Sequence, residues 1–194
     1  MKSPHPHIFK TLGHKIRRRS FLKAGALALG ACVFPQALLG AIQAPLSPER
    51  SLSFYNLHTG ESLKTTYWCK GEYLSEGLAQ INHILRDFRT GEIKPIDTSL
   101  LDLLSMIREN MGSQEMFHLI SGYRSPATNA LLHEHSSGVA GHSLHMQAKA
   151  ADIRLPGCSL STLHQTAVSL KGGGVGYYPG SDFIHVDVGR VRYW

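Results

Sequence analysis

An α+β fold is the class this chain predicts, a single domain in which a small, mainly antiparallel sheet is flanked by helices. Three observations carry that reading. Apolar residues recur at helical spacing in three separate stretches, short runs suited to strands lie around them, and tight turn signals join strands near both ends of the domain. With 194 residues, 42% of them hydrophobic, the chain is long enough to bury one core, and three cysteines exclude a disulfide-dense scaffold.

Taken in order, residues 51–58 and 62–69 read as two strands around Thr59-Gly60-Glu61, a hairpin. Leu74, Leu78, Ile81, Leu85 and Phe88 predict an amphipathic helix over 73–89 that stops near Gly91 and Pro95. A second helix, capped by Thr98 or Ser99, buries Leu100, Leu103, Leu104 and Ile107 before Gly112. Residues 117–120 form a strand leading into a turn at Arg124, and Pro126 suits the first turn of a short helix. The stretch 133–147 has no sustained period and reads as loop. A strand over 150–155 follows, then a helix marked by Leu160, Leu163, Ala167 and Leu170 and ended by Gly172-Gly173-Gly174, then strand, turn and strand over 175–188.

The formal charge of +6 is concentrated at the front. Residues 1–44 hold seven basic side chains and no acid, which leaves 13 basic against 14 acidic residues in 45–194. That near-neutral body removes the charge argument for a nucleic-acid partner. Arg18-Arg19-Ser20-Phe21-Leu22-Lys23, the apolar run 24–34 and the small residues up to Ala41 and Ala44 resemble a twin-arginine export signal. A spanning helix needs about 20 apolar residues and Pro35 interrupts this run after roughly half of them, so the membrane is met only through this segment before cleavage. Cys32, in Leu29-Gly30-Ala31-Cys32, offers lipid attachment as an alternative. The expected organisation is an export signal over 1–44 and a working domain over 45–194 in the periplasm, where Cys69 and Cys158 are permitted to pair if they come within reach.

Residues 45–194 contain nine histidines, and position decides which matter. His145 lies in a loop seven residues before Asp152, which interrupts a strand of small apolar residues. Seven extended residues span about 23 Å, so the chain must fold back if both are to meet one ion, and Ala148, Ala150 and Ala151 permit a tight return. In Phe183-Ile184-His185-Val186-Asp187-Val188, strand alternation puts Ile184, Val186 and Val188 on one face and His185 with Asp187 on the other. A soluble edge strand has the same pattern.

Ser-Gly-Tyr-Arg-Ser at 121–125, Ser-x-His-x6-Asp at 143–152 and His-x-Asp at 185–187 occur in that order. Together they resemble the zinc peptidases of the D-Ala-D-Ala carboxypeptidase and VanX group, whose fold is shared with the hedgehog signalling domain, and within it the murein endopeptidase K-like branch. The resemblance covers about residues 52–194, including Asn-Leu-His-Thr-Gly-Glu at 56–61, Gly-Gly-Val-Gly-Tyr-Tyr-Pro at 173–179 and Arg192-Tyr193-Trp194. It implies one zinc ion held by His145, Asp152 and His185 with water in the fourth place, a count that suits a hydrolytic site. It implies an acid that moves the proton to the leaving amine: Asp182 by the pattern of the better-known members, or Asp187 by that of the branch, favoured because it shares a strand face with His185. Arg124 resembles the substrate-anchoring arginine, its planar fork suited to a carboxylate or a polarised carbonyl. A loop-bracing ion pair is its other reading. His142 is a rival ligand beside His145.

Where the family has glycine this chain has Ala148, a strain of about 1 kcal/mol if that position needs positive φ. The activity implied is hydrolysis of peptide cross-links in bacterial peptidoglycan, with a D,D-carboxypeptidase trimming stem peptides, or a catalytically silent zinc-containing wall-binding protein, as alternatives.

Overall fold

The computed structural model describes residues 49–135 and 140–194; the export-signal expectation for 1–44, with Cys32, lies outside them. The predicted hairpin is present as β1 (Glu49–Asn56) and β2 (Ser62–Cys69), paired antiparallel with a bulge at Arg50/Ser51. A two-residue strand that the sequence reading lacked, β3 (Glu72–Tyr73), folds back on β2. Leu74 N then donates to Tyr67 O at 2.8 Å, so α1 starts only at Ser75.

Helix α1 (Ser75–Ile84) is also shorter at its far end than the predicted 73–89. The periodic apolar residues continue, but tertiary bonds claim the backbone. Leu85 O accepts Tyr123 N at 2.7 Å, while the Asp87 carboxylate accepts Arg89 N at 2.9 Å and Ser125 N at 2.8 Å, turning the chain out of helix. Helix α2 (Thr98–Met111) is capped by Asp97, which accepts Ser99 N at 2.9 Å, instead of by Thr98 or Ser99, and it ends as expected at Gly112, whose φ is 59°.

Strand β4 (Phe117–Ser121) leads to α3 (Pro126–His135), which extends into the stretch read as loop. A 3-10 turn over Leu144–Gln147 departs from that reading again. Then come β5 (Ala150–Arg154), α4 (Leu160–Leu170), β6 (Gly174–Tyr178), a 3-10 turn at Pro179–Ser181, β7 (Phe183–Asp187) and β8 (Arg192–Tyr193).

All eight strands join one sheet in the order β3-β2-β1-β4-β5-β7-β6-β8. The expected sheet was small and mainly antiparallel. It is larger than that and mixed, since β1 pairs with β4 and β6 with β8 in parallel. Leu52, Phe54, Phe117, Leu119, Ile153, Ile184 and Val186 from the strands form one buried cluster with Ile81 of α1, Leu100, Leu104 and Ile107 of α2, and Leu163 and Ala167 of α4. On β7, Ile184 and Val186 face this core, which leaves His185 and Asp187 for the other face. Among the described residues no helix is long and apolar enough to cross a membrane. Cys69 and Cys158 are both free thiols.

Candidate metal centre and substrate cleft

The antiparallel register of β5 and β7 sets Asp152 opposite His185, so two polar groups far apart in sequence become neighbours. The third arrives by a reversal. Ser143 Oγ accepts His145 N at 3.3 Å to start the 3-10 turn, and Ala148, at φ +56°, ends it, with its N–H bonded to His145 O at 3.1 Å. The left-handed conformation anticipated for Ala148 is therefore real. The turn is held from outside by Asp97 N to Ala148 O at 3.0 Å and by Lys94 Nζ to Met146 O at 3.0 Å.

His145 Nε2 lies 3.2 Å from His185 Nδ1 and 3.2 Å from Asp152 Oδ1, and His185 Nδ1 lies 2.9 Å from Asp152 Oδ1. All three residues are buried. The remaining ring nitrogens fix the chemistry of those atoms. His145 Nδ1 is 2.7 Å from Gly122 O and His185 Nε2 is 3.0 Å from Asp187 Oδ2; oxygens of these kinds only accept, so each of these nitrogens carries the hydrogen. His145 Nε2 and His185 Nδ1 thus offer lone pairs toward the same point as the Asp152 carboxylate. Three converging acceptors call for positive charge between them. A tetrahedral zinc ion with ligands at about 2.0–2.1 Å sets its donor atoms about 3.3 Å apart, close to the separations found, so the donor set fits that ion. Among the described residues this is the group able to hold a metal; His142 is exposed and outside it.

The side chains by themselves express the same demand for positive charge, which on His185 favours a second ring proton at Nδ1, one that metal binding would displace. Burial alone would raise the Asp152 pKa, but the charges and hydrogen bonds of His145 and His185 hold it well below the carboxylate range. Burial alone would lower that of His185, yet hydrogen bonds to Asp152 and Asp187 push it up to about 9.

Asp187 is fully buried behind the His185 ring, on the side away from the ligand cluster. Its Oδ1 accepts Gly174 N, Gly189 N and Arg192 Nη1 at 3.0, 2.8 and 3.1 Å, and its Oδ2 accepts Arg192 Nη2 at 2.6 Å besides His185. These bonds overcome the burial cost and keep its pKa well below the usual range. Asp182 lies elsewhere: it is 68% exposed and paired with Arg154 at 2.9 Å.

Arg124 sits at the predicted strand-to-helix turn, its backbone N bonded to His145 O at 3.2 Å. Its guanidinium is half-buried beside Asp152 at 3.9 Å, with long contacts to Ser121 Oγ at 3.3 Å and Asn129 Oδ1 at 3.5 Å, and its buried Nε has no partner among the described residues. That is a donor-rich group with unspent capacity. The three candidate ligands and Arg124 open onto a cleft of about 580 Å³ that His142, Tyr178, Phe183, Arg192 and Trp194 also line. Sequence reasoning assigned no role to Arg192, Tyr178, Phe183 or Trp194. The parallel pairing of β6 with β8 brings Arg192 and Trp194 there, and no local pattern announces that pairing.

A buried His/Asp/His group beneath an open, partly polar cleft is able to hold a metal ion through three side chains while leaving a place for substrate or water. A family model described as peptidoglycan L,D-endopeptidase MepK matches residues 45–194, and the chain belongs to that family of peptidases. It is 42% identical over 177 residues to the peptidoglycan L,D-endopeptidase MepK of Escherichia coli strain K12, covering 91% of this chain and 96% of the relative. The probable peptidoglycan L,D-endopeptidase MepK of Haemophilus influenzae is 38% identical over 178 residues, 91% of this chain and 95% of the relative.

Proposed function

We propose that this protein is a zinc-dependent endopeptidase that cuts peptide cross-links of bacterial peptidoglycan in the periplasm. The observation that carries the reading is the convergence of two histidine lone pairs and one carboxylate at 2.9–3.2 Å on the floor of a cleft. Family membership supports the peptide bond as target, and the names of the relatives support the wall as its source.

His145, Asp152 and His185 would hold the zinc ion, which when bound supplies a Lewis acid for the scissile carbonyl and lowers the pKa of water to about 7. Gly122 O and Asp187 keep the two imidazoles in the ligating tautomer. With all its acceptor positions in use and the imidazole between it and the cleft, Asp187 acts as a positioning residue for His185. Arg124, with donors left over, binds the substrate carbonyl or a neighbouring carboxylate. Asp182 braces Arg154. Residues 1–44 direct export by the twin-arginine route, which a reporter fusion checks: replacing Arg18 and Arg19 by Lys should hold the fusion in the cytoplasm.

The test of the activity is digestion of purified cross-linked muropeptides by the mature protein, with and without chelator, read by mass spectrometry. Dimers separated into monomers only in the absence of chelator are expected. Trimmed stems with intact cross-links would instead identify a D,D-carboxypeptidase, and stoichiometric zinc with unchanged masses a silent wall-binding protein.

A further inference from the structure

Trp194 is 49% exposed, yet it is fixed from several sides. Its backbone N donates to Val175 O at 3.2 Å and its carbonyl accepts Tyr177 N at 2.9 Å, extending the pairing of β6 with β8 by one residue. Its indole Nε1 donates to the Tyr178 hydroxyl at 2.8 Å. Gly176 lies against the ring: a Cβ there would come within 2.7 to 2.9 Å of three indole atoms, so the strand carries glycine where the ring is seated. The Arg192 guanidinium stands 4.9 Å from the indole and the His185 ring 5.4 Å from it. Tyr178 and Phe183, stacked at 4.7 Å, continue the apolar lining of the cleft, while Arg124 and His142 make its polar part.

A large aromatic side chain left half in water forgoes much of the stabilisation that burial would bring. Held at its backbone, its edge and one face, this one has little rotamer freedom left to lose when something covers it, and pre-organisation of that kind favours binding. Arg192 already serves the ring as a cation, so the surface left over suits apolar groups. We propose that Trp194, seated on Gly176 and pinned by Tyr178, is a substrate-positioning platform on which an aliphatic side chain of the bound peptide lies beside the metal ligand His185. The identity of that ligand rests on the peptidase reading above; the built surface does not.

The chain has two tryptophans, so Trp68→Phe leaves Trp194 as sole indole reporter. Zinc-loaded Trp68→Phe protein is mixed with purified cross-linked muropeptide dimer in a stopped-flow fluorimeter and read before turnover, and a saturable fluorescence change is expected. In steady state, Trp194→Ala should keep its zinc and raise KM about tenfold with kcat within about twofold of wild type, and Trp194→Phe should recover most of the loss. An unchanged KM in Trp194→Ala, loss of its zinc, or a flat fluorescence trace at saturating dimer each overturns the platform. If zinc-loaded wild type leaves the dimer uncut, the peptidase reading fails instead, and the fluorescence trace alone decides the platform.

Discussion

Replacing Asp187 by Asn separates holding a metal ligand from moving a proton. The Asn oxygen can keep the three bonds that Oδ1 accepts from Gly174, Gly189 and Arg192, but its amide then meets Arg192 Nη2 and His185 Nε2, two donors, at 2.6 and 3.0 Å. His185 escapes the clash by shifting its hydrogen to Nδ1, the atom that faces Asp152, which spoils its lone pair as a ligand. Removing one partner of a buried ion pair costs 3–5 kcal/mol; Arg192 is one-third exposed and recovers part of that from water, leaving about 3 kcal/mol. Zinc affinity should fall about 10- to 100-fold, as for other carboxylates behind a ligating histidine. Urea unfolding of the chelated protein measures the first quantity and competition with a chromophoric chelator the second. Full zinc affinity with lost turnover would refute the positioning role and make Asp187 the proton carrier, and unchanged values throughout would refute the network altogether.

His145→Ala and His185→Ala should each lose stoichiometric zinc and all muropeptide cleavage, read by metal analysis and mass spectrometry; retained zinc in either would break the ligand set. Asp87 is buried, and although burial raises its pKa, hydrogen bonds from Ser125, Thr128 and Arg89 bring it down to about 2. A carboxylate depressed in the folded state stabilises it fully above about pH 4 and loses that effect as pH falls toward 2, a contribution of about 2 kcal/mol. Asp87→Asn should therefore be less stable at neutral pH and lose much of the acid dependence in this window, as thermal melts against pH will show. At Ala148, Gly relieves about 1 kcal/mol of left-handed strain but gives up a buried methyl worth about 0.8 kcal/mol, so Ala148→Gly should sit within about 1 kcal/mol of wild type. Ala148→Val, β-branched and larger in the same buried turn, should cost about 3 kcal/mol, and a Val variant as stable as wild type would contradict the strain.

Local pattern alone sufficed for the α+β class, the first hairpin, the glycine stop of α2 and the shared face of His185 and Asp187, because strand parity, turn residues and helical stripes are short-range properties. The three motifs in their order carry the family resemblance without reference to any contact, and the family match over residues 45–194 agrees with them. Tertiary structure decided the rest. Helix α1 stops at Ile84 because Tyr123, 38 positions beyond Leu85, takes the carbonyl that another turn of helix would use. Asp152 and His185 meet through a strand register, His145 reaches them through a reversal stabilised by the distant Asp97, and Arg192 and Trp194 reach the cleft through a parallel pairing. Each of these joins residues whose separation along the chain carries no periodic signal. Sequence by itself determined which side chains were available for chemistry; only the folded sheet decided which ring nitrogens face inward, which carboxylate stands behind them and which aromatic ring is left waiting in the cleft, because those depend on bonds between strands that are not neighbours in the chain.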